Sequence, residues 1–160
     1  MIILGIDPGL QVTGYCILKK EGRSCFLLDC GYLQMSCKKH LSERIHTFYT
    51  FFSEKIGTYH ITDLSLETPF LGKNAQNFLK LGYLRGILYL LAHQNNMQLH
   101  EFSPREVKQS VTGYGGASKD QVERVVLQLF PKLNTPKKQD VTDAIAVTLC
   151  GLWKIKTLSI

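Results

Sequence analysis

Two short segments of this chain, an apolar run at 2–6 and a weakly alternating stretch at 61–66, each end in an acid with a proline close behind. Residues 2–6 run to Asp7-Pro8-Gly9, and residues 61–66 run to Glu67, with Pro69 following. The first, an apolar run stopped by turn residues, reads as a buried strand, and the alternation of the second reads as another. Proline carries no backbone donor, so the ladder of each strand ends there. The stretch between the two runs is long enough to contain a helix, which lets the second strand lie parallel to the first. If the two are parallel neighbours, both acids emerge at the same carboxyl edge of the sheet. That edge is where open α/β sheets bind their ligands.

The rest of the pattern fits that frame. Residues 12–18 and 25–33 read as two further strands, with Lys20-Glu21-Gly22-Arg23 as the turn between them. Leu41, Ile45, Phe48, Phe52 and Ile56 fall at helical spacing over 41–56. Phe78, Leu81, Leu84, Leu88 and Leu91 mark a long helix over 74–94. A strand at 97–102 follows. Pro104 suits the first turn of a helix to 111, and Ser118 is placed as the N-cap of a helix to 129. Residues 112–117 form a glycine-rich loop, 131–138 another loop, and 139–153 the last helix. The expected fold is α/β, with one five-stranded mixed sheet flanked by helices. A chain of 160 residues fits one domain. We expect it to span 1–155, with a short tail at 156–160.

Asp140 and Asp143 open the last helix three positions apart, which sets them on one face. If that face packs over the strand ends, Asp7, Glu67, Asp140 and Asp143 converge. Four ionised carboxylates repel one another, and a cation resolves that cost. Oxygen-only ligation by carboxylates favours Mg²⁺, with Mn²⁺ as a substitute. Two such ions about 4 Å apart can activate water and stabilise the leaving oxygen of a phosphodiester. Taken singly, each acid also has an ordinary reading: a turn at Asp7, a surface acid at Glu67, and an N-cap and helix-dipole pair at Asp140 and Asp143.

Lys and Arg number 19 against 13 Asp and Glu, a formal charge of +6 that suits an anionic partner as well as plain solubility. No run approaches the roughly 20 apolar residues of a membrane span, and the N-terminus lacks the form of a signal peptide. Cys16, Cys25, Cys30, Cys37 and Cys150 include no C-x-x-C pair, and reduced thiols in a cytoplasm are expected. Cys25, Cys30, Cys37 and His40 match no common zinc module.

Gly5-Ile6-Asp7-Pro8-Gly9 with Thr13-Gly14 resembles the opening of the RuvC-type Holliday junction resolvases. Glu67 to Phe70, Lys73-Asn74-Ala75 and Leu79-Lys80-Leu81-Gly82 through Arg85-Gly86 resemble that family's second acidic strand and long helix. Ser103-Pro104-Arg105-Glu106-Val107-Lys108-Gln109, Val111-Thr112-Gly113, Gly115, Ala117, Lys119 and Gln121 are similar to its central signature. Asp140-Val141-Thr142-Asp143-Ala144-Ile145-Ala146 is similar to its closing helix. The ordered match runs from about Ile3 to Cys150.

The resemblance implies a ribonuclease-H-like fold and a bacterial-type cytoplasmic endonuclease. It would act as a homodimer on four-way junction DNA, cutting two strands symmetrically in recombination and repair beside a branch-migration motor. It makes Asp7, Glu67, Asp140 and Asp143 the acidic metal ligands and sets Lys119 near the scissile phosphate. Phe70 becomes an aromatic against junction bases. Lys73, Lys80, Arg85, Arg105 and Lys108 are candidate phosphate contacts. Gly82 and Gly86, four apart, permit close helix contact at a dimer interface or within the monomer. Two departures stand out. Thr68-Pro69 replaces small or branched apolar residues, and Gly113-Tyr114-Gly115-Gly116 carries a tyrosine and an extra glycine.

Three rivals remain. A binder without cutting would have no need to concentrate acids near phosphate. An RNA-directed nuclease of the same fold lacks the central signature. An actin-like ATPase needs two lobes, and the loop at 113–119 lacks P-loop spacing.

Overall fold

The computed structural model describes residues 1–69, 75–131, 133 and 139–155. Five strands form one sheet: β1 (Ile2–Asp7), β2 (Val12–Glu21), β3 (Ser24–Gln34), β4 (Asp63–Glu67) and β5 (Gln98–Phe102). Their order is β3-β2-β1-β4-β5. The hairpin strands pair antiparallel, while β1–β4 and β4–β5 run parallel. This is the expected mixed five-stranded sheet, and the helix-length connections are what allow its parallel half.

Helices cover both faces. On one face α1 (Leu41–Tyr59) and α2 (Ala75–Gln94) bury Phe48, Phe52, Leu84 and Leu88 against Leu4, Ile6, Ile17 and Leu64. On the other lie α3 (Pro104–Thr112), α4 (Lys119–Leu129) and α5 (Gln139–Lys154), around Ile3, Cys16, Val107, Val126 and Ile145. Each fully buried Leu, Ile or Phe contributes roughly 1.5–3 kcal/mol. Alternation along β1 explains the split: Leu4 and Ile6 enter one core, Ile3 the other.

Sequence boundaries shift by a few residues. The hairpin strands extend to Glu21 and Gln34, leaving Gly22-Arg23 as the turn. Gly22 takes a positive φ of 58° there. Helix α1 continues past Ile56 to Tyr59 and stops where His60 turns left-handed. Ser103 and Ser118 cap α3 and α4, each accepting from the amide three residues on, with Glu106 and Gln121 returning the bond. Most of the expected 131–138 loop, the start of the long helix at 74 and the tail at 156–160 lie outside the described residues.

The helix α5 is buried from Val141 to Leu152, save for Asp143 on its open side. It sits very close to the sheet. A Cβ on Gly14 would lie 1.9 Å from the Asp140 carbonyl oxygen, and one on Gly5 would lie 1.9 Å from Thr148 Oγ1. Hydrogen bonds tie helix to sheet: Ser65 Oγ donates to the Val147 carbonyl at 2.7 Å, and Thr148 Oγ1 reaches the Cys16 carbonyl at 3.5 Å. No helix among the described residues is long and apolar enough to cross a membrane.

Gly14→Ala drives its methyl into the backbone of α5, which cannot rotate aside as a side chain can. We expect a loss of about 1–3 kcal/mol, read as a lower urea midpoint with unchanged slope. Gly57→Ala, in exposed α1 with nothing within 4 Å, serves as control. It should be neutral or gain up to about 1 kcal/mol of helix propensity. Equal midpoints for the two variants would remove the close-seating argument.

Candidate active site

Ile6 pairs with Leu66 in the parallel register, so Asp7 and Glu67, one residue further along, leave the sheet side by side. Both strands have their carboxyl ends here, as the sequence pattern requires. The β4 ladder closes through the Thr68 amide, which donates to the Phe102 carbonyl at 2.8 Å. On the other side, Gly14 of β2 pairs with Asp7 and seats the Asp140 backbone directly above itself. The first turns of α5 therefore project over the strand ends.

Asp7, Glu67, Asp143, Lys108 and Lys119 line one cavity of about 270 Å³. That is below the roughly 300–1,000 Å³ of sites that enclose a whole small molecule, and it suits one group of a larger polymer. Asp140 does not line it, but its charge acts on Asp7 from the edge. A neighbouring cavity of about 340 Å³ shares Asp7 and Glu67 and adds Phe78, Leu81 and Tyr89 from α2.

The electrostatics express the crowding. Burial, followed by the charges of Asp143, Asp140 and Glu67, pushes the Asp7 carboxyl up to about 7, against the opposing charge of Lys119. Desolvation, then Asp143, also raises Glu67, opposed by Lys119, Lys108 and Arg85. Lys119 Nζ donates to Asp143 Oδ2 at 2.8 Å, and that bond raises the lysine. No three His, Cys, Asp or Glu side chains among the described residues stand together at ligating distance. Like charges hold the acids apart, and the ammonium of Lys119 partly offsets them.

The donor set is all carboxylate oxygen on a shared, partly desolvated cavity, which fits a hard divalent cation. Cys25, Cys30 and Cys37 are free thiols elsewhere and form no part of it.

The remaining sequence candidates divide. Lys108 reaches the cavity. Arg105 is exposed on α3, next to Gly115, and Lys80 is exposed on α2. Phe70 and Lys73 lie outside the described residues. Arg85 departs from its expectation as a phosphate contact. It is 6% exposed, and its guanidinium donates to the Glu67 carbonyl, to Tyr89 and to Glu101. Its fork is committed to protein partners, which leaves little to offer a phosphate. Glu101 and Tyr89 were missed in the sequence reading. Their one signal is register: Leu66 pairs with Glu101, so that acid stands next to the strand end.

With this geometry in place, comparison with known proteins is direct. The family model described as crossover junction endodeoxyribonuclease RuvC matches residues 3–151. The RuvC protein of Pelodictyon phaeoclathratiforme is 41% identical over 152 residues, covering 95% of this chain and 80% of its own. That of Chlorobium phaeovibrioides is 42% identical over 153 residues, covering 95% and 81%. Thermus thermophilus RuvC, solved in complex with a Holliday junction substrate, shares the fold. It superposes with a TM-score of 0.88 at 23% identity, over 95% of this chain and 93% of that one.

The raised Asp7 carboxyl makes a signed prediction. The group ionises near 3.8 in the unfolded chain and near 7 in the folded one. Between those values only the folded state holds the proton, so stability falls as pH rises through the window. Asn cannot ionise and escapes that loss. In EDTA, Asp7→Asn should match the parent near pH 4 and exceed it above pH 7 by on the order of 2–4 kcal/mol. Urea unfolding across pH 4–8.5 measures this. A stability difference that stays flat with pH would contradict the crowding described here.

Proposed function

The chain belongs to the RuvC family of crossover junction endodeoxyribonucleases, and from that premise we propose that it resolves four-way DNA junctions by paired, metal-dependent nicks in recombination and repair. The observation that carries the reading is the meeting of Asp7, Glu67, Asp143 and Lys119 on one cavity at the carboxyl edge of the sheet. A ribonuclease-H-like nuclease domain over 1–155, with a short tail at 156–160, forms part of the proposal. So does action in the bacterial cytoplasm.

In this reading Asp7, Glu67, Asp140 and Asp143 hold the metal, which we take to be Mg²⁺, with Mn²⁺ as substitute and two ions per site. When bound, divalent metal supplies positive charge at the scissile phosphate and lowers the pKa of water. The chain's own groups do the rest. Asp7 must give up its proton to ligate, so loading is favoured above neutral pH. Asp143, now bonded to Lys119, would be among the residues that hold the metal, and the ammonium would then be free. Lys119 then faces the developing charge of the phosphate. Lys108 lines the same cavity, and Arg105 extends the basic surface beyond it. Phe70 against junction bases and Lys73 on phosphate complete the expected contacts.

A homodimer fits a two-fold substrate. Leu79, Tyr83 and Leu90 are exposed along α2 at positions that share a face with Gly86. A Cβ on Gly82 or Gly86 would meet nothing within 4 Å, which removes the alternative of close packing inside the monomer. We place the dimer interface on this stripe. A branch-migration motor is the further partner.

The test is nicking of a labelled synthetic four-way junction in Mg²⁺ and in EDTA, beside a linear duplex and an RNA duplex. Symmetric paired nicks are expected only on the junction with metal. Asp7→Asn should abolish them while binding persists. Lys119→Met should lower kcat about 10²–10³-fold, the scale for one lost transition-state donor. Tight binding without cutting in either Mg²⁺ or Mn²⁺ would leave a junction-binding protein. For the dimer, Tyr83→Glu with Leu90→Glu should halve the mass seen by light scattering without loss of helicity. A parent chain that runs as a monomer would remove the interface.

A further inference from the structure

Arg85 is a buried cation on a helix beside the acidic edge of the sheet, and its hydrogen bonds go to protein groups. Nη1 donates to the main-chain carbonyl of Glu67 at 2.7 Å. Nη2 donates to the Tyr89 hydroxyl at 3.2 Å and to the Glu101 carboxylate. Tyr89 in turn donates to the same Glu101 oxygen at 2.8 Å, and its ring lies 5.8 Å from the guanidinium. Charge neutralisation alone would be met by Glu101. The second arm of the fork is spent on a backbone oxygen instead.

That oxygen lies where the ladder of β4 runs out. The amide on the far side of the same peptide, Thr68 N, is held by the Phe102 carbonyl. The peptide after Glu67 is therefore gripped at both ends, by α2 through its carbonyl and by β5 through its amide. Pro69 offers no donor of its own and keeps Thr68 out of helical conformations. A peptide plane held at two points cannot swing about the adjoining backbone bond, so the Cα–Cβ direction of Glu67 is set. Without that grip, repulsion from Asp7 and Asp143 would turn the carboxylate outward.

We propose that Arg85, oriented by Glu101 and Tyr89, is a positioning residue for Glu67: it clamps the end of β4 so that the carboxylate stays aimed into the acidic cavity. The inference rests on Glu67 being a metal-holding acid. It replaces a phosphate-contact role for Arg85 with one played through the backbone. Lysine cannot substitute, because one ammonium cannot span the carbonyl and the Glu101–Tyr89 pair as a planar fork does.

The experiment compares the parent with Arg85→Lys, Tyr89→Phe, Glu67→Gln and the Arg85→Lys/Glu67→Gln double variant, each checked for fold by circular dichroism. Mn²⁺ affinity is measured without DNA by electron paramagnetic resonance. Junction affinity is measured in EDTA over a salt series, and kcat and KM in Mg²⁺. Arg85→Lys should weaken Mn²⁺ binding by about tenfold, the usual effect of losing a group that orients a ligand. It should lower kcat and leave junction affinity and its salt slope at parent values. Tyr89→Phe, which keeps the ring, should show the same pattern more weakly, and it stands in if the lysine variant fails to fold. In the Glu67→Gln background Arg85→Lys should add no further loss.

Parent-like Mn²⁺ affinity in a folded Arg85→Lys protein would overturn the proposal. So would weaker junction binding with a shallower salt slope, the mark of a lost phosphate contact. Glu67→Gln with intact metal binding and cutting would instead remove the reading of Glu67 itself.

Discussion

The seating of α5 against the sheet is the contact on which the site depends. Helices usually pack on sheets through a layer of side chains, about 10 Å from axis to strand plane. Here Gly5 and Gly14 remove that layer along one line, so the helix backbone rests on the strand backbone. The gain is reach. Asp140 and Asp143, in the first turns of α5, arrive over Asp7 and Glu67, which the parallel register of β1 and β4 has already set side by side. A normal packing distance would leave the two pairs on separate surfaces. The hydrogen bonds from Ser65 into the helix and from Thr148 out to the Cys16 carbonyl fix its position along the strands as well as its depth.

This arrangement works against stability. Acids brought together in a partly desolvated cleft favour the unfolded chain at neutral pH, and the raised Asp7 carboxyl expresses that cost. The remainder of the structure must supply the difference, and it does so with two cores, one on each face of the sheet. Lys119 supplies a local part of it through Asp143. An ion pair with 62% of the lysine side chain exposed is worth little energetically. In the proposed function its value would lie in being easy to break, which leaves Asp143 open to a metal ion.

Much of the frame was legible in the sequence. The five strands and five helices came from period and punctuation: the apolar run of β1 stopped at Asp7, the weak alternation of β4 stopped at Glu67, and Ser103 and Ser118 announced their caps. The i, i+3 spacing of Asp140 and Asp143 pointed to a shared face. What periodicity could not supply was depth and direction. Nothing local to Gly14 says that its missing side chain makes room for Asp140, because the two are far apart in the chain. The burial of Arg85 was hidden for the same reason. A basic residue on a helix next to a DNA-binding edge looks like a phosphate contact. Whether it turns in or out depends on Glu101, a neighbour only through the β4–β5 register.

The basic charge of the chain is thus divided by depth. Lys119 and Arg105 are exposed and Lys108 opens onto the cavity, where their charge can meet a polyanion and be screened by salt. Arg85 is withdrawn, paired by Glu101, and adds almost nothing to the field outside. A polyanion approaching this edge meets the lysines first and the acids second, and the order matters. Without the exposed cations the carboxylates would repel an approaching phosphate. Without the buried one, the strand end carrying Glu67 would yield to the repulsion of its own neighbours. Cations at both depths therefore serve one purpose, which is to keep an acidic cluster pointed at a negatively charged substrate.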